Sequence, residues 1–126
     1  MARLGHLLGE PRYLQSLDRC LRRSLGPISQ APAGHARMLP VLGDAVTPPP
    51  HVVIAGADRD RCTGLKGWVD RRYRLDCYLI EPTQDALPGM LDAYRSSEPV
   101  TAWLCRGTQC LPAVRTEDEL KRLLDC

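Results

Sequence analysis

Apolar residues in the first 45 positions recur at helical spacing. A short helix is predicted over residues 2–8, and Gly9 ends it because glycine readily adopts the left-handed conformation that closes a helix. Pro11 suits the first turn of a second helix, which the pattern ends near Gly26 and Pro27. This second helix carries one apolar stripe of leucines at three- and four-residue steps: Leu14, Leu17, Leu21 and Leu25.

A third helical stretch is predicted for residues 33–44, where Pro40 would either kink the helix or mark its first turn. Three consecutive prolines at 48–50 then end the helical pattern, because they favour an extended, semi-rigid connection. The sequence therefore predicts three parts: a helical segment at 1–46, a proline linker at 47–50 and a small α/β domain at 51–126.

Short apolar and β-branched runs after the prolines predict a sheet. Residues 51–56 are typical of a buried strand, and residues 75–80 form a second predicted strand. Residues 100–105 and 110–114 are a predicted antiparallel pair, joined by a tight connection that contains Gly107. We therefore expect a central, four-stranded mixed sheet.

Helical patterns separate and follow these strands. Asp58 or Asp60 can cap a helix after the first strand, and residues 85–93 can form a shorter one. Thr116 and Glu119 have the spacing of a capping box, which predicts a closing helix over residues 117–124.

The resulting order, β-α-β-α-β-β-α, is that of a thioredoxin-like fold. Pro99 stands just before the third strand, where such folds often have a cis proline. A minimal Rossmann-like sheet with an added hairpin is the alternative. The fold class is α/β in either case, and fold alone does not identify the chemistry.

Cys105 and Cys110 are the most specific pair of reactive residues. The four intervening residues allow a hairpin that places the two sulfur atoms near each other across the strands. Three interpretations are open: reduced packing cysteines, a reversible disulfide, or a metal site. A zinc site would need about two more ligands, and no second Cys-x-x-Cys or His-x-x-His supplies them.

The other reactive residues are scattered. Cys62 lies where a thioredoxin would carry Cys-x-x-Cys, but it has no partner two residues away, which argues against dithiol oxidoreductase activity. Gly56 alone does not make a phosphate-binding loop. His6, His35 and His51 lack the partners of a catalytic triad. We therefore predict no catalytic residue, no cofactor and no metal site.

Charge and composition narrow the classes of partner. The 126 residues carry a formal net charge of +2, and the basic excess lies in the first 50 positions. A solvated helix face explains that excess, so we predict no nucleic-acid partner. No apolar stretch has the length of a secretory signal or a membrane span, so we predict no membrane partner and a cytoplasmic location.

The residues around the cysteine pair also resemble a known family. An aromatic and an apolar residue precede Cys105, and a proline, a valine and a threonine-started helix follow Cys110: Trp103, Leu104, Pro112, Val114 and Thr116. This pattern resembles the C-terminal end of the spermatogenesis-associated, thioredoxin-domain-containing protein family. Residues 3–13 are similar to a junction between two helices of that family's toroid.

The resemblance implies an architecture larger than this chain. Members of that family place a thioredoxin-like domain first, and then an α/α toroid of the six-hairpin glycosidase type that resembles N-acylglucosamine epimerases. A small α/β segment comes last. The resemblance implies that residues 1–46 are the last toroid helices, and that redox or carbohydrate-related chemistry belongs to domains absent from this chain.

Three functional hypotheses follow. The first is a noncatalytic C-terminal structural or interaction module, and the second is a small thiol-redox protein that uses Cys105 and Cys110. The third is a small-ligand-binding module at the strand ends after Gly56. Under the first hypothesis the partner is the thioredoxin-like and toroid domains, or a second copy bound through the leucine stripe: Leu14, Leu17, Leu21 and Leu25.

Overall fold

A computed structural model describes residues 2–72, 75–82 and 85–125. The chain divides into two compact units, Met1–Pro48 and Pro49–Cys126, which we call the helical unit and the α/β unit. The described part of the helical unit contains α1 (Ala2–Leu8), α2 (Pro11–Gln30), a first 3-10 helix (Pro32–His35) and α3 (Leu39–Val46). The described part of the α/β unit contains seven elements in chain order: β1 (Pro50–Ala55), α4 (Arg59–Val69), β2 (Asp76–Ile80), a second 3-10 helix (Gly89–Tyr94), β3 (Thr101–Arg106), β4 (Gln109–Cys110) and α5 (Glu117–Asp125).

The first two helices meet at Gly9, as the sequence predicts. Gly9 has a φ of 64°, and the amide of Glu10 donates a hydrogen bond of 3.2 Å to the Gly5 carbonyl, which satisfies one of the last carbonyls of α1. The predicted end of α2 near Gly26 and Pro27 is wrong, because the helix continues to Gln30. Burial of Ile28, the residue directly after Pro27, offsets the hydrogen bond that Pro27 cannot donate.

The third helical stretch is shorter and later than predicted. Residues 33–44 do not form one helix: a 3-10 helix ends at His35, and α3 begins only at Leu39. Pro40 lies in the first turn of α3, where the amide that it lacks would have no partner within the helix. Of the two roles predicted for Pro40, the first-turn role is therefore confirmed.

The predicted four-stranded mixed sheet is confirmed. Its strand order is β2-β1-β3-β4, in which β1 and β2 are parallel and the other pairs are antiparallel. Because side chains alternate between the two faces of a sheet, Val52 and Ile54 point to one face while His51 and Val53 point to the other.

The strand predicted for residues 110–114 is interrupted. Its regular part is β4, after which the Leu111 amide still donates to the Leu104 carbonyl at 2.9 Å; the pairing then breaks before the bridge between Ala102 and Val114. Cys105 pairs with Cys110, so an unbroken ladder would have placed Ala102 opposite residue 113. The chain therefore contains one extra residue here, a β-bulge at Pro112, whose nitrogen cannot donate to the ladder.

Two further expectations about the α/β unit need correction. The short helix predicted for residues 85–93 is a 3-10 helix over Gly89–Tyr94, which begins at a glycine with a φ of 58° directly after Pro88. Pro99 precedes β3 as expected, but its peptide bond is trans.

Side chains cap both helices of the α/β unit. The Asp58 carboxylate accepts a hydrogen bond from the Arg61 amide at 3.1 Å, so Asp58 is the cap of α4. Before α5, the Thr116 hydroxyl accepts from the Glu119 amide, and the Glu119 carboxylate accepts from the Thr116 amide, each at 3.2 Å. The predicted capping box is confirmed.

The two faces of the sheet are covered differently. One face carries Val52 and Ile54 and packs against Leu65 and Val69 of α4 and Leu120 of α5, which together form the main hydrophobic core. We call it the helix-covered face. On the opposite face, Tyr94 of the second 3-10 helix contacts Trp103 of β3.

Candidate functional site

Cys105 and Cys110 lie directly opposite each other in the β3–β4 hairpin. The turn between the strands consists of two residues, and the first of them, Gly107, has the positive φ of 60° that such a tight turn requires. Arg106 and Gln109 flank the turn, so the cysteine pair comes next in the ladder. The two sulfur atoms are bonded as a disulfide, 2.02 Å apart.

The two cysteines differ strongly in accessibility. Only 2% of Cys105 is exposed, because β3 lies between β1 and β4. The Cys105 side chain points to the same sheet face as Trp103, opposite the helix-covered face. Cys110 lies on the two-residue edge strand and is exposed to solvent. Cys110 is therefore the more accessible of the two bonded cysteines.

Tyr94 completes this group, which we call the hairpin site: Cys105, Cys110, Tyr94 and Trp103. The Tyr94 hydroxyl lies 3.0 Å from the Cys110 sulfur and 3.7 Å from the Cys105 sulfur. The Tyr94 ring packs edge-to-face on Trp103, with 5.1 Å between centroids. Burial raises the pKa of the Tyr94 phenol, so this hydroxyl keeps its proton at neutral pH and can donate it in a hydrogen bond.

Sequence reasoning did not identify Tyr94. It lies eleven residues before Cys105, at the end of a short 3-10 helix. Only the return of the chain across the opposite face brings it to the hairpin. No spacing rule signals such a contact, so the sequence offered no pattern from which to predict it.

The other two described cysteines of the α/β unit are unsuited to exchange. Cys62 is buried in the core near the start of α4, and burial, together with the charge of Asp58, raises the pKa of its thiol. Cys77 on β2 has a pKa raised to about 12, chiefly by burial. Since the thiolate is the reactive form, a raised pKa makes both thiols less reactive at neutral pH than an ordinary cysteine.

A cleft lies where the third functional hypothesis expects one, at the carboxyl ends of β1 and β2. Its two adjoining hollows have volumes of about 240 Å³ each, and both are lined by Gly56, Ile80 and Glu81. Arg59 and Glu81 form an ion pair of 2.7 Å at one end of the cleft, and Arg95 and Ser96 line the other.

The leucine stripe of α2 is unevenly buried. Leu21 is 7% exposed and Leu14 and Leu17 are half-buried, whereas 43% of Leu25 is exposed. The stripe predicted from the sequence is therefore partly covered, and its exposed end is at Leu25.

The three histidines lie on different elements. His6 belongs to α1, His35 to the first 3-10 helix and His51 to β1. Among residues 2–72, 75–82 and 85–125, no group of three or more His, Cys, Asp or Glu side chains could hold a metal ion.

None of the helices within the described ranges has the length and apolar character needed to cross a membrane. No protein-family model, curated protein or solved structure matches the chain.

Proposed function

We propose that this chain is a noncatalytic C-terminal structural module of the spermatogenesis-associated, thioredoxin-domain-containing protein family. One observation carries the proposal: the residues around the cysteine pair that resemble the family all lie in the β3–β4 hairpin or in the segment that leads into α5. Their roles in this structure are therefore structural.

Most of these residues have a structural contact. Leu104 and Val114 pack against the core of the helix-covered face, and Val114 also bridges to Ala102. Thr116 caps α5, and Cys105 and Cys110 close the hairpin covalently. A pattern that specifies a hairpin followed by a docked helix is what a structural module requires.

The strand arrangement supports a thioredoxin-like order for the α/β unit. A parallel β1–β2 pair, an antiparallel β3 beside β1 and an edge strand β4 follow the β-α-β-α-β-β-α sequence of elements. The second 3-10 helix takes the position of the middle helix in that order. The proposal places the module in the cytoplasm. It assigns no chemistry to the module, because a shared fold does not by itself imply a shared activity.

Association in trans tests this proposal. A family member truncated before its own corresponding C-terminal segment is mixed with the full chain, and complex formation is measured by sedimentation velocity. We expect a one-to-one complex. Leu25→Glu, at the exposed end of the leucine stripe, should weaken it, whereas Leu111→Glu, at a leucine of similar exposure in the α/β unit, should not.

The same measurement without the truncated protein tests the predicted homodimer. A dimer that Leu25→Glu dissociates would identify the partner as a second copy of this chain. A monomer that does not bind the truncated family member would contradict the structural module altogether.

The cleft at the strand ends favours a second candidate function, the binding of a small polar ligand. The polar groups along its lining are the observation in its favour: the Arg59–Glu81 ion pair at one end and Ser96 at the other. Fragment binding followed by NMR tests it: shifts should cluster at Gly56 and Ser96 and disappear when Ser97→Trp fills the cleft. Shifts that survive Ser97→Trp would contradict a site in this cleft.

A further inference from the structure

We propose that the Cys105–Cys110 disulfide is a site of thiol–disulfide exchange, which a dithiol reduces by attack on Cys110 while the Tyr94 hydroxyl hydrogen-bonds to the departing Cys105 sulfur. The proposal concerns one reduction of the protein's own disulfide, without turnover of a substrate. It goes beyond the structural role of the hairpin and does not depend on family membership.

Accessibility sets the direction of the exchange. A thiolate must approach one sulfur from outside the molecule, and Cys110 is exposed while Cys105 is 2% exposed. Cys110 also lies on the edge strand, where no further strand of the sheet covers it. The buried sulfur therefore becomes the leaving group.

The electrons and protons balance as follows. A thiolate of the dithiol forms a bond to the Cys110 sulfur, the Cys105–Cys110 bond breaks, and its electron pair remains on Cys105 as a thiolate. The second thiol of the reductant then attacks the reductant's first sulfur, which is bonded to Cys110 in the mixed disulfide, and Cys110 is released. The dithiol is oxidised by two electrons to a disulfide, and the two cysteines take up its two protons.

Tyr94 supplies what a buried leaving group needs. A thiolate formed at Cys105 is shielded from water, and an uncompensated buried charge is costly. The Tyr94 hydroxyl is within hydrogen-bond reach of both sulfurs, so a small movement transfers its hydrogen bond from Cys110 to Cys105. Packing on Trp103 keeps the ring in place during this transfer.

Reduction kinetics provide the first test. The full chain carrying Trp68→Phe retains Trp103 as its one tryptophan, and emission of that indole next to the disulfide follows reduction by dithiothreitol. Acid quenching, alkylation and peptide mapping identify the cysteines that have been reduced. We expect Tyr94→Phe to slow reduction at least about tenfold, since hydrogen bonds to charged groups are the strong ones. Tyr78→Phe, a tyrosine of β2, should have no effect.

Single-cysteine variants provide the second test. In Cys105→Ser the thiol of Cys110 should react with an aromatic disulfide reagent at least about tenfold faster than the thiol of Cys105 does in Cys110→Ser. Peptide mapping excludes signal from the exposed Cys20. Equal rates would overturn the direction of attack.

Comparison with unfolding decides the proposal as a whole. Native hydrogen exchange measures how fast the α/β unit opens globally. Reduction that is faster than this opening and sensitive to Tyr94→Phe supports an exchange site. Reduction only at the rate of opening would overturn the proposal and leave a static crosslink, and a Tyr94→Phe rate equal to wild type would overturn the role of Tyr94.

Discussion

The helical unit and the α/β unit use their apolar residues differently. In the α/β unit, β1 places Val52, Val53 and Ile54 in consecutive positions with no exposed surface, because both faces of the strand are covered. In the helical unit, burial of described side chains is complete or nearly so only at Leu21 and Ile28, while Leu25 and Leu39 are each more than two-fifths exposed.

This difference separates two sources of stability. A helix forms locally from spacing and caps, but most helical stability in proteins comes from packing of the apolar face. The α/β unit has that packing in its core. The helical unit has fewer buried side chains, so its stability depends more on these local contributions.

The largest expected difference in the free energy of unfolding is between truncating a buried leucine of the α/β unit and truncating an exposed leucine of the helical unit. Leu120 has no exposed surface, so Leu120→Ala should cost about 2–5 kcal/mol through lost burial and a cavity. Leu25→Ala, at a leucine that is 43% exposed, should cost less than about 1 kcal/mol. Urea unfolding followed by fluorescence and circular dichroism measures both. Equal losses of unfolding free energy in the two variants would contradict the proposed difference between the units.

Substitution of glycine by alanine should have opposite signs in the two units. A methyl group on Gly56 would lie 2.4 Å from the carbonyl oxygen of Pro99, so Gly56→Ala should destabilise the α/β unit by about 1–3 kcal/mol. Nothing lies within 4 Å of the corresponding position on Gly26 in α2, so Gly26→Ala should stabilise that helix by up to about 1 kcal/mol. Thermal unfolding reports the signs, and a stabilised Gly56→Ala would refute the close approach.

Helix caps give a smaller contrast. Thr116→Ala removes the cap of α5 and should cost about 1 kcal/mol. Glu10, the residue before α2, has an extended backbone but its side chain makes no cap hydrogen bond. Glu10→Ser should therefore stabilise the helical unit by a few tenths to about 1 kcal/mol. Denaturation midpoints measure both changes, and a loss of stability in Glu10→Ser would contradict the reasoning.

Acid should act on the two units in different pH windows. Burial lowers the pKa of His6 below its ordinary value of 6.5, so the stability held by the neutral ring is present above that pH and is lost as pH falls through the lowered value. In the α/β unit, the Arg115 amide and then the Thr116 side chain lower the pKa of Glu119 below 4.5, so its contribution is lost only in more acidic solution.

NMR titration with residue-resolved hydrogen exchange measures these two windows. We expect α1 to lose protection at a higher pH than α5, and His6→Gln to remove the earlier loss. Thr116→Ala should return the pKa of Glu119 part of the way to its ordinary value. Simultaneous loss of protection in both helices would contradict the assignment.

Local patterns were sufficient for much of the fold. Gly9, the capping box at Thr116 and the two parallel strands β1 and β2 act through their immediate neighbours, so the sequence predicts them. The continuation of α2 past Pro27 was missed because burial of Ile28 is a tertiary effect. The bulge at Pro112 was missed because periodicity does not count an extra residue.

The hairpin site divides in the same way. The spacing of Cys105 and Cys110 predicts that they face each other, since hairpin geometry is local. Tyr94 joins them only through the path of the second 3-10 helix across the sheet, and the difference in exposure between the sulfurs depends on the position of β4 at the edge. These features come from the assembled sheet.

The bulge at Pro112 also affects how the protein avoids aggregation. An edge strand with regularly spaced free amides and carbonyls is a template on which another chain can add a strand. Here β4 has only two residues, and the segment after it bends at a proline before returning to β3 at Val114. A passing strand finds no long, straight ladder on this side. The hairpin thus protects this edge of the sheet from intermolecular β-pairing, and the disulfide fixes the protective segment in place.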